Sequence, residues 1–232
     1  MKLLSVNVSL PQEIRVNGQT VRTGIFKRPV EGRVRLGKLN LEGDAQGDLS
    51  VHGGPDKAVY AYAFEHYAYW TEKLGRHDLA PGQFGENFTV EGMTEDEIFL
   101  GDVFRIGEAL LEVSQPRLPC FKLGLKMGDS KFPKQFLASG RLGFYLRVLE
   151  EGAVGAGDEI TRVRTDPEGL AIAEVARHLK ARDREFLRMY YYEELPREEI
   201  ARVLGVREER LRLIKSRALK RFREVYEKLK RN

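Results

Sequence analysis

The sequence predicts an α+β protein, with a mainly β domain over residues 1–165 and a small all-α domain over residues 166–232. Three observations carry this. The first part holds 21 of the 23 glycines, and Gly-centred turns there separate short β-rich runs. From "TDPEGL" onward only Gly169 and Gly205 remain. At the same point the apolar spacing becomes i, i+3, i+4, the interval of an amphipathic helix.

The strand candidates, in order, are "KLLSVNVSL", "AVYAYAF", "NFTVEG", "VFRIGEALLEVSQ" and "GFYLRVLEEG". Many short strands joined by glycine turns argue for a closed or strongly coiled β domain. One helix interrupts them over "FEHYAYWTEKLG", ending at Gly75, which can take the left-handed C-cap conformation. A second short helix is expected over "KFPKQFLASG". Residues Asp166 to Gly169 form the expected linker. Beyond it, Leu187, Tyr190 and Tyr191, then Ile200, Val203 and Leu204, then Leu211, Ile214, Ala218, Phe222 and Val225 mark three amphipathic helices.

Composition narrows the function classes. A hydrophobic fraction of 42% supports a real core. No run approaches 18 apolar residues, and "MKLLSVNVSL" lacks a cationic region followed by a signal-like stretch. The expectation is a soluble, cytoplasmic protein with no membrane partner. One cysteine cannot form an internal disulfide, which fits a reducing compartment. The histidines His52, His66, His77 and His178 show no zinc-type spacing with it.

The formal charge of +4 is unevenly placed. From Glu168 onward there are 18 Lys and Arg against 12 Asp and Glu, and elsewhere 21 against 23. Between Arg207 and Arg231 the ratio is 11 to 4. This asymmetry points either to an anionic partner for the C-terminal part or to a highly charged, solvated helical tail.

Several short stretches carry candidate chemistry. In "VHGGPDKAVYAY" the His52-Gly53-Gly54 turn can direct backbone N–H groups at an anion, and Lys57 adds a full charge. "PGQFGENFTVEG" offers Asn87 at a turn entering a strand. "GIFKRPVEGRVRLG" supplies Lys27, Arg28, Arg33 and Arg35 near two turns, for a phosphate or for a solvated edge strand. In "SQPRLPCFKLG" Pro119 stiffens the loop just before Cys120. Arg117 and Lys122 there favour a thiolate, the form that binds metals and attacks electrophiles; a buried apolar cysteine is the other reading. No Ser-His-Asp arrangement, phosphate loop or nicotinamide fingerprint is present.

"GIFKRPV", "LEGDAQGDLSVHGGPDKAVYAYAFEHYAYW", "PGQFGENFTVEG", "LGDVFRIGEALLEVSQPRLPCFKLG" and "GFYLRVLEEGAV" together resemble the MOSC family, in its YiiM-like branch. The resemblance implies a β-barrel-like domain that binds the molybdenum cofactor, a pterin dithiolene with an anionic phosphate. It implies that Cys120 ligates molybdenum or carries activated sulfur. Lys27, Arg33, His52, Gly53, Gly54, Lys57, Asn87 and Arg117 are the residues expected to hold the cofactor. The implied activity is reduction of N-hydroxylated bases such as 6-hydroxylaminopurine, with electrons from a separate redox partner. A soft thiolate suits a sulfur-rich molybdenum shell, and cationic side chains suit a phosphate.

The tail departs from that branch. "ARDREFLRMYYYEELPREEIARVLGVREERLRLIKSRALKRF" is similar to the promoter-binding helix-turn-helix of bacterial sigma factors. In that pattern Gly205 permits the tight turn, and the helix beginning near Arg207 enters a major groove. Arg207, Arg210, Arg212, Lys215, Arg217 and Lys220 would then meet phosphates and base edges. Two function classes stand: a molybdenum-dependent oxidoreductase with an accessory tail, and a DNA-associated regulator using a MOSC domain as cofactor or sulfur sensor.

Overall fold

The computed structural model describes residues 1–16, 18–46, 53–165, 169–178, 197–204, 207 and 209. Its strands are β1 (Lys2–Val8), β2 (Gln12–Val16), β3 (Gln19–Thr23), β4 (Arg28–Pro29), β5 (Arg33–Leu36), β6 (Val59–Ala63), β7 (Phe88–Glu91), β8 (Val103–Ile106), β9 (Ala109–Pro116), β10 (Phe144–Glu150), β11 (Gly152–Gly155) and β12 (Ile160–Arg164). The helices are α1 (Glu65–Leu74), α2 (Phe121–Met127), α3 (Phe132–Ser139), α4 (Ile172–His178) and α5 (Arg197–Leu204).

Eight strands form one mixed sheet in the order β12-β8-β9-β10-β6-β7-β1-β4. Only β6 and β7 run parallel among its pairs; α1 lies between them in the chain and supplies the crossover. Among the described residues no continuous ladder closes this sheet into the expected barrel. Instead β12, at one end, meets the start of β1, next to the other end, at a short seam, where Leu3 N donates to Asp158 O at 2.9 Å and Ile160 N to Met1 O at 3.0 Å. The β2–β3 and β5–β11 pairs stand as separate two-stranded sheets.

Strand β6 explains how one apolar run serves two cores. All five of its residues are buried. Val59 and Ala61 point into a large aliphatic core with Phe88, Val90, Leu111 and Leu146. Tyr60 and Tyr62 point the opposite way, into an aromatic core with Trp70, Phe84, Phe132 and Phe136. A strand covered on both faces needs no polar alternation, which is why "VYAYA" has none.

Helix α1 ends at Gly75 in the left-handed conformation, φ 61°, as its sequence position predicts. The helix α3 is also where expected, whereas α2 is not among the helices expected from the sequence. Packing continues past the expected linker: Leu170, Ile172 and Val175 belong to the aliphatic core. Ile172 N donates to Ile98 O and Ala173 N to Glu95 O, fixing the start of α4 on the β domain. Among the described residues no helix is long and apolar enough to cross a membrane.

Candidate functional site

Cys120 is the N-cap residue of α2, with extended backbone at φ −118° and ψ 172°. It is 7% exposed and borders a cavity of about 120 Å³. The walls come from distant parts of the chain: Thr23 at the end of β3 with Gly24, Ile25 and Lys27 after it, Asp44 to Gln46, Lys57, Ala58 and Tyr60, Gly85 and Asn87, Arg117 after β9, Cys120 and Lys122, and Tyr145. Sheet pairing draws several of these together. Tyr145 of β10 is registered against Tyr60 of β6, with rings 5.6 Å apart.

Of the residues expected to hold a cofactor, Lys27, Lys57, Asn87 and Arg117 meet at this cavity beside Cys120. Arg33 does not. Its guanidinium donates to Asp158 Oδ1 at 2.8 Å and to Ala153 O at 2.6 Å, joining β5 to the turn after β11. Gly54 has the positive φ expected of it, 99°, but its N–H is taken by Gln46 Oε1 at 2.9 Å rather than offered to an anion. Gly53 is outside the cavity wall. His52 lies outside the described residues, as do Arg210, Arg212, Lys215, Arg217 and Lys220; Arg207 is described and exposed.

Asn87 is fully engaged by the protein. Its Oδ1 accepts from Tyr60 N at 3.1 Å, and its Nδ2 donates to Asp44 Oδ2 at 2.9 Å and to Asn7 O at 3.3 Å. It therefore builds the wall instead of presenting an open amide. Asp44, unnoticed in the sequence, is the hub of that wall. Its Oδ1 accepts from Lys27 Nζ at 2.5 Å and from Ser9 N at 2.9 Å. Burial pulls the Lys27 ammonium below its ordinary pKa, and the Asp44 carboxylate opposes that shift.

The Arg117 guanidinium stacks 4.7 Å from the Tyr60 ring centroid and 5.5 Å from that of Phe136. Arg117 is 5% exposed, and its Nη1 has no hydrogen-bond partner among the described residues. Arg117 interacts electrostatically with Tyr60, Tyr145 and Cys120, so its charge steadies negative charge arising beside it. Burial pushes the Tyr60 phenol well above the ordinary tyrosine value, and Tyr145 upward as well, with Arg117 opposing both. Both phenols are neutral at physiological pH.

A second buried network braces the site from behind. Lys126 on α2 donates from Nζ to Ile25 O at 3.0 Å, to Lys27 O at 3.3 Å and to Gly82 O. Glu86 accepts from Gly82 N at 2.7 Å, Phe84 N at 2.9 Å, Thr89 Oγ1 at 3.0 Å and the Tyr67 hydroxyl. The helix that begins after Cys120 is thus stapled to the segment carrying Lys27.

The donor set fits an anionic, sulfur-bound cofactor. Four cationic side chains (Lys27, Lys57, Arg117 and Lys122) and one carboxylate (Asp44) line the cavity with the thiol. Among the described residues no cluster of three His, Cys, Asp or Glu side chains could hold a bare metal ion. A metal here would need most of its ligands from a cofactor, with Cys120 contributing one.

The MOSC domain model matches residues 48–161, and the Sigma-70 region 4 model matches residues 175–224. The YflK protein of Bacillus subtilis is 46% identical over 170 residues, covering 73% of this chain and 76% of that protein. A crystal structure of YiiM from Geobacillus stearothermophilus superposes with a TM-score of 0.64 at 33% identity, covering 98% of each chain. A Gibberella moniliformis protein named a reductase is 31% identical over 198 residues, covering 84% of this chain and 35% of that protein. The chain belongs to the MOSC-domain family, in its YiiM-like branch, and ends in a segment matching Sigma-70 region 4.

Proposed function

We propose that the cavity binds the molybdenum cofactor and that the protein reduces N-hydroxylated compounds of the hydroxylaminopurine type, with Cys120 as a thiolate ligand to the metal. The observation that carries this reading is the meeting of one thiol with four cationic side chains in a single cavity. The reductase name of the Gibberella relative supports the redox class. When bound, the cofactor supplies two-electron chemistry at a sulfur-ligated metal. Lys57, Arg117 and Lys122 would face its anionic groups, and the Pro119-stiffened loop fixes the direction of Cys120. Tyr60 and Tyr145 limit water around the thiol.

The test is metal and pterin analysis of protein purified from a cofactor-competent host, coupled to reduction of 6-hydroxylaminopurine by reduced viologen. Cys120→Ser is expected to fold normally and to lose both metal and activity, because a hydroxyl ligates molybdenum far less readily than a thiolate. A serine variant with full metal content and full rate would exclude thiolate ligation.

A second reading, a DNA-associated regulator carrying a MOSC domain as cofactor or sulfur sensor, is favoured by the Sigma-70 region 4 match together with 11 basic against 4 acidic residues between Arg207 and Arg231. Sequence-selective duplex binding would support it.

A further inference from the structure

Breaking the N–O bond of an N-hydroxylated base consumes protons as well as electrons: R–NH–OH + 2 e⁻ + 2 H⁺ gives R–NH₂ + H₂O. The hydroxyl is a poor leaving group unless its oxygen is protonated as the bond breaks, so the cavity needs an acid. Among the described lining residues there is no histidine and no glutamate. Asp44 serves as acceptor to Lys27, Ser9 and Asn87. The Tyr60 hydroxyl donates to Leu142 O at 2.8 Å, and its phenol holds its proton far too tightly for this role. Tyr145 is likewise held up by burial, and an arginine such as Arg117 does not release a proton near neutrality.

Three lysines, Lys27, Lys57 and Lys122, also line the cavity, and the acceptor that holds Lys27 suits it to the role. It lines the same cavity as Cys120, and its ammonium is anchored on Asp44 Oδ1. Asp44 is itself fixed by Asn87 Nδ2 and Ser9 N, so the ammonium is oriented by a rigid acceptor. This repeats the arrangement of an acid held by a third group.

We infer that Lys27, oriented by Asp44, is the general acid that protonates the departing hydroxyl oxygen of the N-hydroxylated substrate. The bond pair leaves with the oxygen, which departs as water carrying the Lys27 proton. Two electrons from the separate redox partner, a reduced flavin-type carrier, end on nitrogen, which takes its second proton from solvent. Lys27 is then reprotonated from solvent. The inference rests on the reductase reading above, and it removes Lys27 from the set that clamps the cofactor. Burial lowers its pKa, so its ammonium gives up a proton more readily than that of an ordinary lysine.

The experiment compares wild type with Lys27→Arg and Lys27→Ala in cofactor-loaded full-length protein. It measures metal and pterin content, melting temperature and the pH profile of 6-hydroxylaminopurine reduction by reduced viologen. Arginine keeps the charge and the pairing with Asp44 but cannot give up a proton. Lys27→Arg should retain cofactor and melting temperature while its rate falls about 10²–10⁴-fold. The wild-type rate should decline on the alkaline side as Lys27 deprotonates, and that limb should vanish in Lys27→Arg. The groups that set its position are the Asp44 and Glu86 carboxylates and the Lys126 ammonium, all of which act on Lys27 electrostatically. Methylamine should restore part of the rate of Lys27→Ala and none of that of Lys27→Arg. Loaded Lys27→Arg with the wild-type rate and profile overturns the acid role. So does a variant that loses the cofactor in step with its activity, which would make Lys27 a binding residue. A loaded wild type inert toward the substrate overturns the reductase reading and this inference together.

Discussion

Asn87 and Asp44, 43 residues apart in sequence, are joined by a 2.9 Å hydrogen bond from Nδ2 to Oδ2 inside the cavity wall. The same amide accepts the backbone N–H of Tyr60, so one side chain fixes the carboxylate that orients Lys27 and the strand that carries Tyr60. Replacing it leaves a buried N–H and a buried carboxylate oxygen short of a partner.

Asn87→Ala should therefore cost about 2–6 kcal/mol of stability, at about 1–3 kcal/mol for each stranded buried group. Urea unfolding measures this directly. A loss below about 0.5 kcal/mol, the scale of ordinary surface substitutions, would mean that water replaces the amide at no cost.

Gly124 sets two effects against each other. An alanine in mid-helix gains about 1 kcal/mol over glycine from helix propensity. Yet a Cβ there would lie 2.9 Å from Asp129 O and 3.2 Å from Pro133 Cδ, where α2 packs on α3. Overpacking of this kind costs about 1–3 kcal/mol, so the clash should win and Gly124→Ala should be destabilising. It should also raise the alkylation rate of Cys120, because the helix that must move begins at that residue. A stabilised variant with unchanged thiol reactivity would show that the neighbours give way freely.

The same glycine explains what the sequence hid. "FKLGLKM" reads as loop because Gly124 interrupts it, whereas the glycine is there to let two helices approach. The strands with continuous apolar runs and the helix ended by Gly75 were legible, since their signals are local. Cys120, Arg117 and Lys57, which line the cavity, were legible as candidates from residue chemistry on stiff or glycine-rich loops. Asp44, Tyr60 and Tyr145 were not, because only the β6–β10 pairing and the reach of Asn87 bring them to the thiol. Arg33 misled for the mirror-image reason. Its partner Asp158 is 125 residues away, and local charge carries no trace of that distance.

Lys126 makes stability depend on alkaline pH. Burial lowers its pKa from 10.5 to about 8, against the attraction of Glu86. Between about 8 and 10.5 the unfolded chain binds a proton that the native chain has released, so this residue makes stability rise with pH across that window. Below about 8 both states are protonated and the contribution is flat. Subtracting the urea stability of Lys126→Met from that of wild type, from pH 7 to pH 11, should give a difference that climbs through the window. Parallel curves would assign the alkaline dependence to other groups.

The C-terminal segment is best tested in the whole protein. Leu170, Ile172 and Val175 are buried in the aliphatic core of the β domain, so excision at the expected linker would strip that core and expose an apolar surface. If the helix beginning near Arg207 enters a major groove, the full chain should bind duplex DNA with affinity that falls steeply as salt rises. Lys220→Ala, removing a phosphate contact, should weaken binding to all sequences alike and reduce the salt slope by about one unit. Arg207 is exposed. As a base-reading residue, its replacement by alanine should change sequence preference by about 1–3 kcal/mol. Salt dependence alone decides little, because this charge would attract any polyanion. Preference decides: equal binding to heparin and to random duplexes, with no base effect from Arg207→Ala, would make the segment an accessory helical domain.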